Sequence, residues 1–94
     1  MKQQPQLMSM IKGQVFDGFL LTRAAAQKTS SNGSKYLDMT LCDLSGEVNA
    51  KMWDGLTAAP SIAQVVRIRG RIFWNYRGNW LRQIYLYSTP KRVS

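Results

Sequence analysis

Along most of this chain, apolar residues alternate with polar ones in short runs, and each run ends in a turn signal. In residues 35–42, Leu37, Met39 and Leu41 alternate with Tyr36, Asp38 and Thr40. That period of two predicts a strand with one face in a core and one in water. Residues 47–53 repeat the pattern, with Val48, Ala50 and Met52 inward and Asn49, Lys51 and Trp53 outward on the same side as Tyr36. The link Asp43-Leu44-Ser45-Gly46 makes these two strands a hairpin. Residues 64–75 form the longest run: Val66, Ile68, Ile72 and Trp74 are expected in the core, with Arg67, Arg69, Arg71 and Phe73 outside. Residues 13–28 and 80–87 supply the first and fifth strands, and Asn32-Gly33 and Tyr76-Arg77-Gly78-Asn79 mark two further turns. An interior glycine often marks a bend, so Gly18 and Gly70 are expected to bend strands one and four.

Residues 54–63 are the one stretch without strand character, and Pro60 limits them to a short helical turn. Five strands with their only helical opportunity between the third and fourth predict an all-β OB-fold, a five-stranded Greek-key barrel. The expected organisation is a flexible N-terminal tail over 1–12, the barrel over 13–89 and a basic C-terminal tail over 90–94.

Charge changes the picture next. Thirteen Lys and Arg stand against five Asp and Glu, a formal net charge of +8, and such a field attracts polyanions, nucleic acid first. There is no histidine, which removes the commonest general base and the commonest metal ligand. Neither a catalytic site nor a cofactor or metal site is therefore expected. No apolar run approaches the ~20 residues of a membrane span, and the polar start lacks the apolar core of a signal peptide. A lone cysteine, Cys42, suits a reducing cytoplasm.

The candidate interface follows from the outward positions. Single-strand binding needs cations for phosphates and flat rings for unstacked bases. Tyr36, Asn49, Lys51 and Trp53 come from the hairpin face, Lys35 from the first loop, and Tyr76 and Arg77 from the last. Arg67, Arg69 and Arg71 form a stripe with a spacing of about 6.6 Å, close to that of phosphates on an extended strand; its alternative is a solvated face that discourages edge pairing. Trp53 and Phe73 either stack bases or close the barrel ends. The competing class of function is a protein-interaction module, in which the exposed rings meet another subunit in a homo-oligomer.

Three segments carry a resemblance. Gly13-Gln14-Val15-Phe16-Asp17-Gly18-Phe19-Leu20-Leu21, the run from Ser31 through Asp43-Leu44-Ser45-Gly46-Glu47-Val48-Asn49-Ala50-Lys51-Met52-Trp53-Asp54, and Asn75-Tyr76-Arg77-Gly78 resemble the N-terminal OB domain of YhaM-type 3′–5′ exoribonucleases. The resemblance implies a substrate-binding domain that prefers single-stranded RNA, with DNA the second candidate. It also implies a C-terminal HD-type catalytic domain as partner. That domain holds metal through histidines, which these 94 residues lack.

Overall fold

A computed structural model describes residues 4–53, 62–76, 78, 80–88 and 90–93. Its strands are β1 (Val15–Thr29), β2 (Lys35–Asp43), β3 (Gly46–Trp53), β4 (Val65–Tyr76), β5 (Trp80–Leu86) and a two-residue β6 (Lys91–Arg92). They form one sheet in the order β1-β2-β3-β5-β4, closed by β1 pairing with β4. All ladders are antiparallel except β3–β5. This is the OB-fold barrel that the alternation predicts.

Each strand is long enough to serve the closure because of its register. The first half of β1 pairs with β4, Val15 opposite Arg71 through Leu21 opposite Val65. Its second half pairs with β2, with a bulge between Thr22 and Ala24. That bulge, not Gly18, marks the irregularity of β1, since an extra residue bends a strand away from its first partner. At Gly18, a Cβ would come within 2.5 Å of Gln4 Oε1, so its small size admits a neighbour. Gly70 plays a similar part in β4, where a Cβ would lie 2.4 Å from the Tyr85 carbonyl oxygen and 2.6 Å from Ile84 Cγ2.

The core collects the inward positions: Phe16, Leu20, Leu37, Met39, Leu41, Val48, Ala50, Val66, Ile68, Ile72 and Ile84 are all buried. Two further members come from the segment expected to be a flexible tail. Residues 4–10 are instead docked, because Leu7, which opens the 3-10 turn Leu7–Ser9, and Met10, which follows it, bury their side chains in the same cluster. The Leu7 N–H donates to Asp43 Oδ2 at 2.7 Å and the Met8 N–H to Ser45 Oγ at 3.1 Å. The Asp43-Leu44-Ser45 turn thus holds an apolar plug in the barrel end. Gln4 adds a latch, its side-chain amide exchanging two hydrogen bonds with the Phe19 backbone.

The basic tail is likewise partly ordered, since Lys91 and Arg92 pair with Arg67 and Val66 of β4. The short helical turn expected after β3 falls on residues 54–61, outside the described residues.

Candidate nucleic-acid interface

The register lines up the outward side chains of four adjacent strands. Asp38 of β2 lies opposite Lys51 of β3, Lys51 opposite Tyr85 of β5, and Tyr85 opposite Arg71 of β4. One row away, Tyr36 faces Trp53; on the other side, Thr40, Asn49, Gln83 and Phe73 follow one another. Neighbouring strands are about 4.8 Å apart, so these side chains form one continuous outer surface.

Two ring pairs stand on it. Tyr36 and Trp53 have centroids 4.5 Å apart and planes tilted by 31°. Trp53 is 43% exposed and shares the outward parity of Asn49 and Lys51. Phe73 stacks on Tyr85 at 3.7 Å and 13°, with Tyr85 itself 45% exposed. Lys51 sits between the pairs, its ammonium 5.5 Å from the Tyr36 ring centroid. Arg71 is fixed at the far margin: its Nε donates to Tyr87 Oη at 2.7 Å and its Nη1 to the Gly13 carbonyl at 2.8 Å.

A chain of polar side chains stiffens the floor. Asn49 Nδ2 donates to Asp38 Oδ1 at 2.5 Å and to the Met39 carbonyl at 3.1 Å, while its Oδ1 accepts from Gln83 Nε2 at 2.8 Å. Gln83 Oε1 accepts from Asn75 Nδ2 at 3.2 Å. Both amide hydrogens of Asn49 are therefore used within the protein, and Asn49 ties β2 to β3 on this face.

Asp38 is the acid in the row of Lys51, Tyr85 and Arg71. Burial, the largest single influence, pushes its carboxyl up, but hydrogen bonds from Asn49 and Lys28 and the charges of Lys28 and Lys51 together hold it below the usual value. Lys28 bonds it at 3.0 Å, and its own ammonium is shifted up chiefly by that hydrogen bond. The carboxylate thus stays ionised and is matched by neighbouring cations.

The remaining expected residues divide. Lys35 opens β2, exposed, opposite Thr29. Tyr76 ends β4 and is exposed. Arg77 lies outside the described residues. Arg67 and Arg69 project from β4 as expected, but the stripe leads away from the ring pairs. They stand opposite Phe19 and Asp17 of β1 and border a cleft of about 190 Å³ with Ser88 and Lys91. Arg67 also pairs with Asp17 at 3.4 Å. Trp74, expected in the core, is 37% exposed, because inward alternation reaches the barrel end there; the Arg82 guanidinium lies 5.4 Å from its ring.

Tyr85 and Tyr87 are the surface residues that the sequence reading missed. The signal was present, since both alternate with the core residue Ile84.

A closed five-stranded barrel with this strand order and an outer face of rings and cations is an OB-fold domain of the kind described by the sequence pattern. No protein-family model matches the chain. Curated relatives match it over part of their own length. The "3'-5' exoribonuclease YhaM" of Listeria innocua serovar 6a is 35% identical over 97 residues, covering 97% of this chain and 31% of the relative. That of Listeria monocytogenes serotype 4b (strain CLIP80459) is 37% identical over 78 residues, covering 80% and 25%. That of Oceanobacillus iheyensis is 40% identical over 65 residues, covering 64% and 20%. Most of this chain is thus similar to one part of relatives named 3′–5′ exoribonuclease YhaM, and its small five-stranded barrel is consistent with an OB-like domain. It spans between a fifth and a third of the length of these curated relatives.

Proposed function

We propose that the outer face of β2, β3, β5 and β4 binds single-stranded nucleic acid, RNA ahead of DNA, and that the domain is the substrate-binding module of a 3′–5′ exoribonuclease. The observation that carries this reading is the placement of Lys51 between two ring pairs, Tyr36–Trp53 and Phe73–Tyr85, each with one exposed ring. Bases stack on the rings, each contact contributing about 1–3 kcal/mol, while Lys51, Arg71 and Lys35 meet phosphates. The kinship with enzymes named exoribonucleases supports RNA as the ligand. Hydrolysis is assigned to the HD-type catalytic domain that the resemblance implies, and this domain captures the strand and presents it.

Fluorescence anisotropy with labelled oligo-U and oligo-dT of matched length tests the reading. Nanomolar-to-micromolar binding is expected at low salt. With about three phosphate contacts, log affinity should fall against log salt with a slope of about −2. No binding of either oligomer at low salt would refute the proposal.

A further inference from the structure

The parallel ladder between β3 and β5 runs only from Asn49 to Lys51 against Gln83 to Tyr85. N-terminal to it a cleft opens between the two strands. Its walls are Glu47 and Val48 on one side and Leu81 and Arg82 on the other, with Met8 and Trp74 completing it. Its volume is about 380 Å³, at the lower end of the roughly 300–1,000 Å³ of small-molecule pockets. Asn49 and Gln83 belong both to this cleft and to the outer face, so a strand lying across the rings passes its mouth.

Arg82 sits in this cleft with its hydrogen-bonding capacity unspent. Among the described residues its buried Nε has no hydrogen-bond partner, and its Nη1 meets the Met8 thioether at 3.3 Å. No carboxylate lies within ion-pairing distance of it among the described residues. A sulfur is a weak acceptor, and a partly buried guanidinium calls for better ones. Glu47, across the cleft, is exposed; it pairs with Arg23 at 3.5 Å, both side chains more than half exposed, so the contact is easily exchanged. Trp74 offers a ring to the same space. The amides of Asn49 and Gln83 are bonded to each other, which leaves Arg82 and Glu47 as the charged groups of the lining able to read a ligand.

Resting on the single-strand reading above, we infer that this cleft takes a guanine base splayed out of the bound strand. Guanine presents two acceptors, O6 and N7, on one edge, and a guanidinium matches them with two donors. Its N1–H and N2–H₂ donors lie on the adjoining edge and suit a carboxylate such as Glu47. Adenine places an amino donor where guanine has O6 and so opposes Arg82, while uracil and cytosine lack N7. Splayed bases held against an aromatic ring are the usual mode of sequence reading in single-stranded RNA.

Anisotropy with an oligo-U and with the same oligomer carrying one central guanosine or one central adenosine tests this. The unaltered protein should bind the guanosine oligomer about 5- to 150-fold more tightly than the other two. Glu47→Gln changes an exposed side chain, so it should fold normally, keep its oligo-U affinity and lose most of that preference. Arg82→Met should lose the preference too, with its melting curve recorded alongside. Equal affinity for the three oligomers in the unaltered protein overturns the inference while leaving single-strand binding intact. So does an Arg82→Met loss that is the same for all three, which would make Arg82 a phosphate contact. Binding of none of them instead refutes the underlying reading.

Discussion

Replacing Asp43 with asparagine separates the charge of this carboxylate from its shape. Its Oδ1 accepts from the Ser45 N–H at 2.7 Å and the Ser45 hydroxyl at 2.5 Å, and its Oδ2 accepts from the Leu7 N–H at 2.7 Å. An asparagine can keep its oxygen toward Ser45, but its NH₂ then points at the Leu7 N–H. One backbone donor above a fully buried Leu7 loses its partner, which costs about 1–3 kcal/mol. Taking about 2 kcal/mol, the melting temperature should fall by roughly 8–16 °C for a domain of this size.

The pH dependence supplies a second check. Burial is the largest single influence on Asp43 and raises its pKa. The hydrogen bonds from the Ser45 hydroxyl and from the N–H groups of Leu7, Ser45 and Gly46 together outweigh it, and the carboxyl titrates below the usual carboxylate value. A carboxyl whose folded pKa is depressed stabilises the fold above its unfolded pKa, and that contribution disappears as pH falls through the folded value. The gap between the two proteins should therefore be full at pH 7, hold to about pH 5, and close below about pH 4. Asp38 is also lowered, but it titrates in both proteins and cancels in the difference. Urea unfolding followed by circular dichroism at pH 7 and pH 3 measures both. A gap under about 0.5 kcal/mol at pH 7, smaller than one hydrogen bond, or a gap unchanged at pH 3, refutes the latch.

Three further outcomes follow. Gly70→Ala should destabilise by about 1–3 kcal/mol, because the new methyl meets the β5 backbone at Tyr85 and overpacking is costly; a wild-type melting curve contradicts this. Thr22 is fully buried and its hydroxyl has no partner among the described residues, so Thr22→Val should raise stability by about 1 kcal/mol in urea titration, and a loss of stability would show that the hydroxyl is solvated. Trp53→Ala should weaken oligo-U binding by about 1–3 kcal/mol while the lost contact with Tyr36 costs no more than about 1 kcal/mol of folding stability; the reverse pattern assigns Trp53 to the core.

The barrel was legible because a sheet face against a core imposes its period directly. Leu37, Met39 and Leu41, or Val66, Ile68 and Ile72, read as inward without any knowledge of their partners. That rule has limits at the barrel ends. Trp74 has inward parity but stands beyond the last covering layer, and Arg82, also inward, hid the alternation that exposes Tyr85 and Tyr87. The docked N-terminus was illegible for another reason. Leu7, Met8 and Met10 follow no strand period, and what orders them is a pair of acceptors at Asp43 and Ser45 some 36 residues on. The interface was legible in its β2–β3 half, where outward residues share a hairpin. Its β4–β5 half depends on which strand lies beside β3, which the parallel pairing of Lys51 with Tyr85 decides. Arg67 and Arg69 share a parity with Arg71, yet parity alone does not say that their part of β4 faces β1 and β6.

Amide chemical-shift mapping during titration of the ¹⁵N-labelled protein with a uridine oligomer of ~8 nucleotides, within the usual site size of one OB domain, reads the interface residue by residue. The largest changes should fall on Tyr36, Lys51, Trp53, Phe73 and Tyr85, including the Trp53 indole N–H. Changes centred on Asp17, Arg67 and Lys91, with the ring-bearing residues unmoved, would contradict the account.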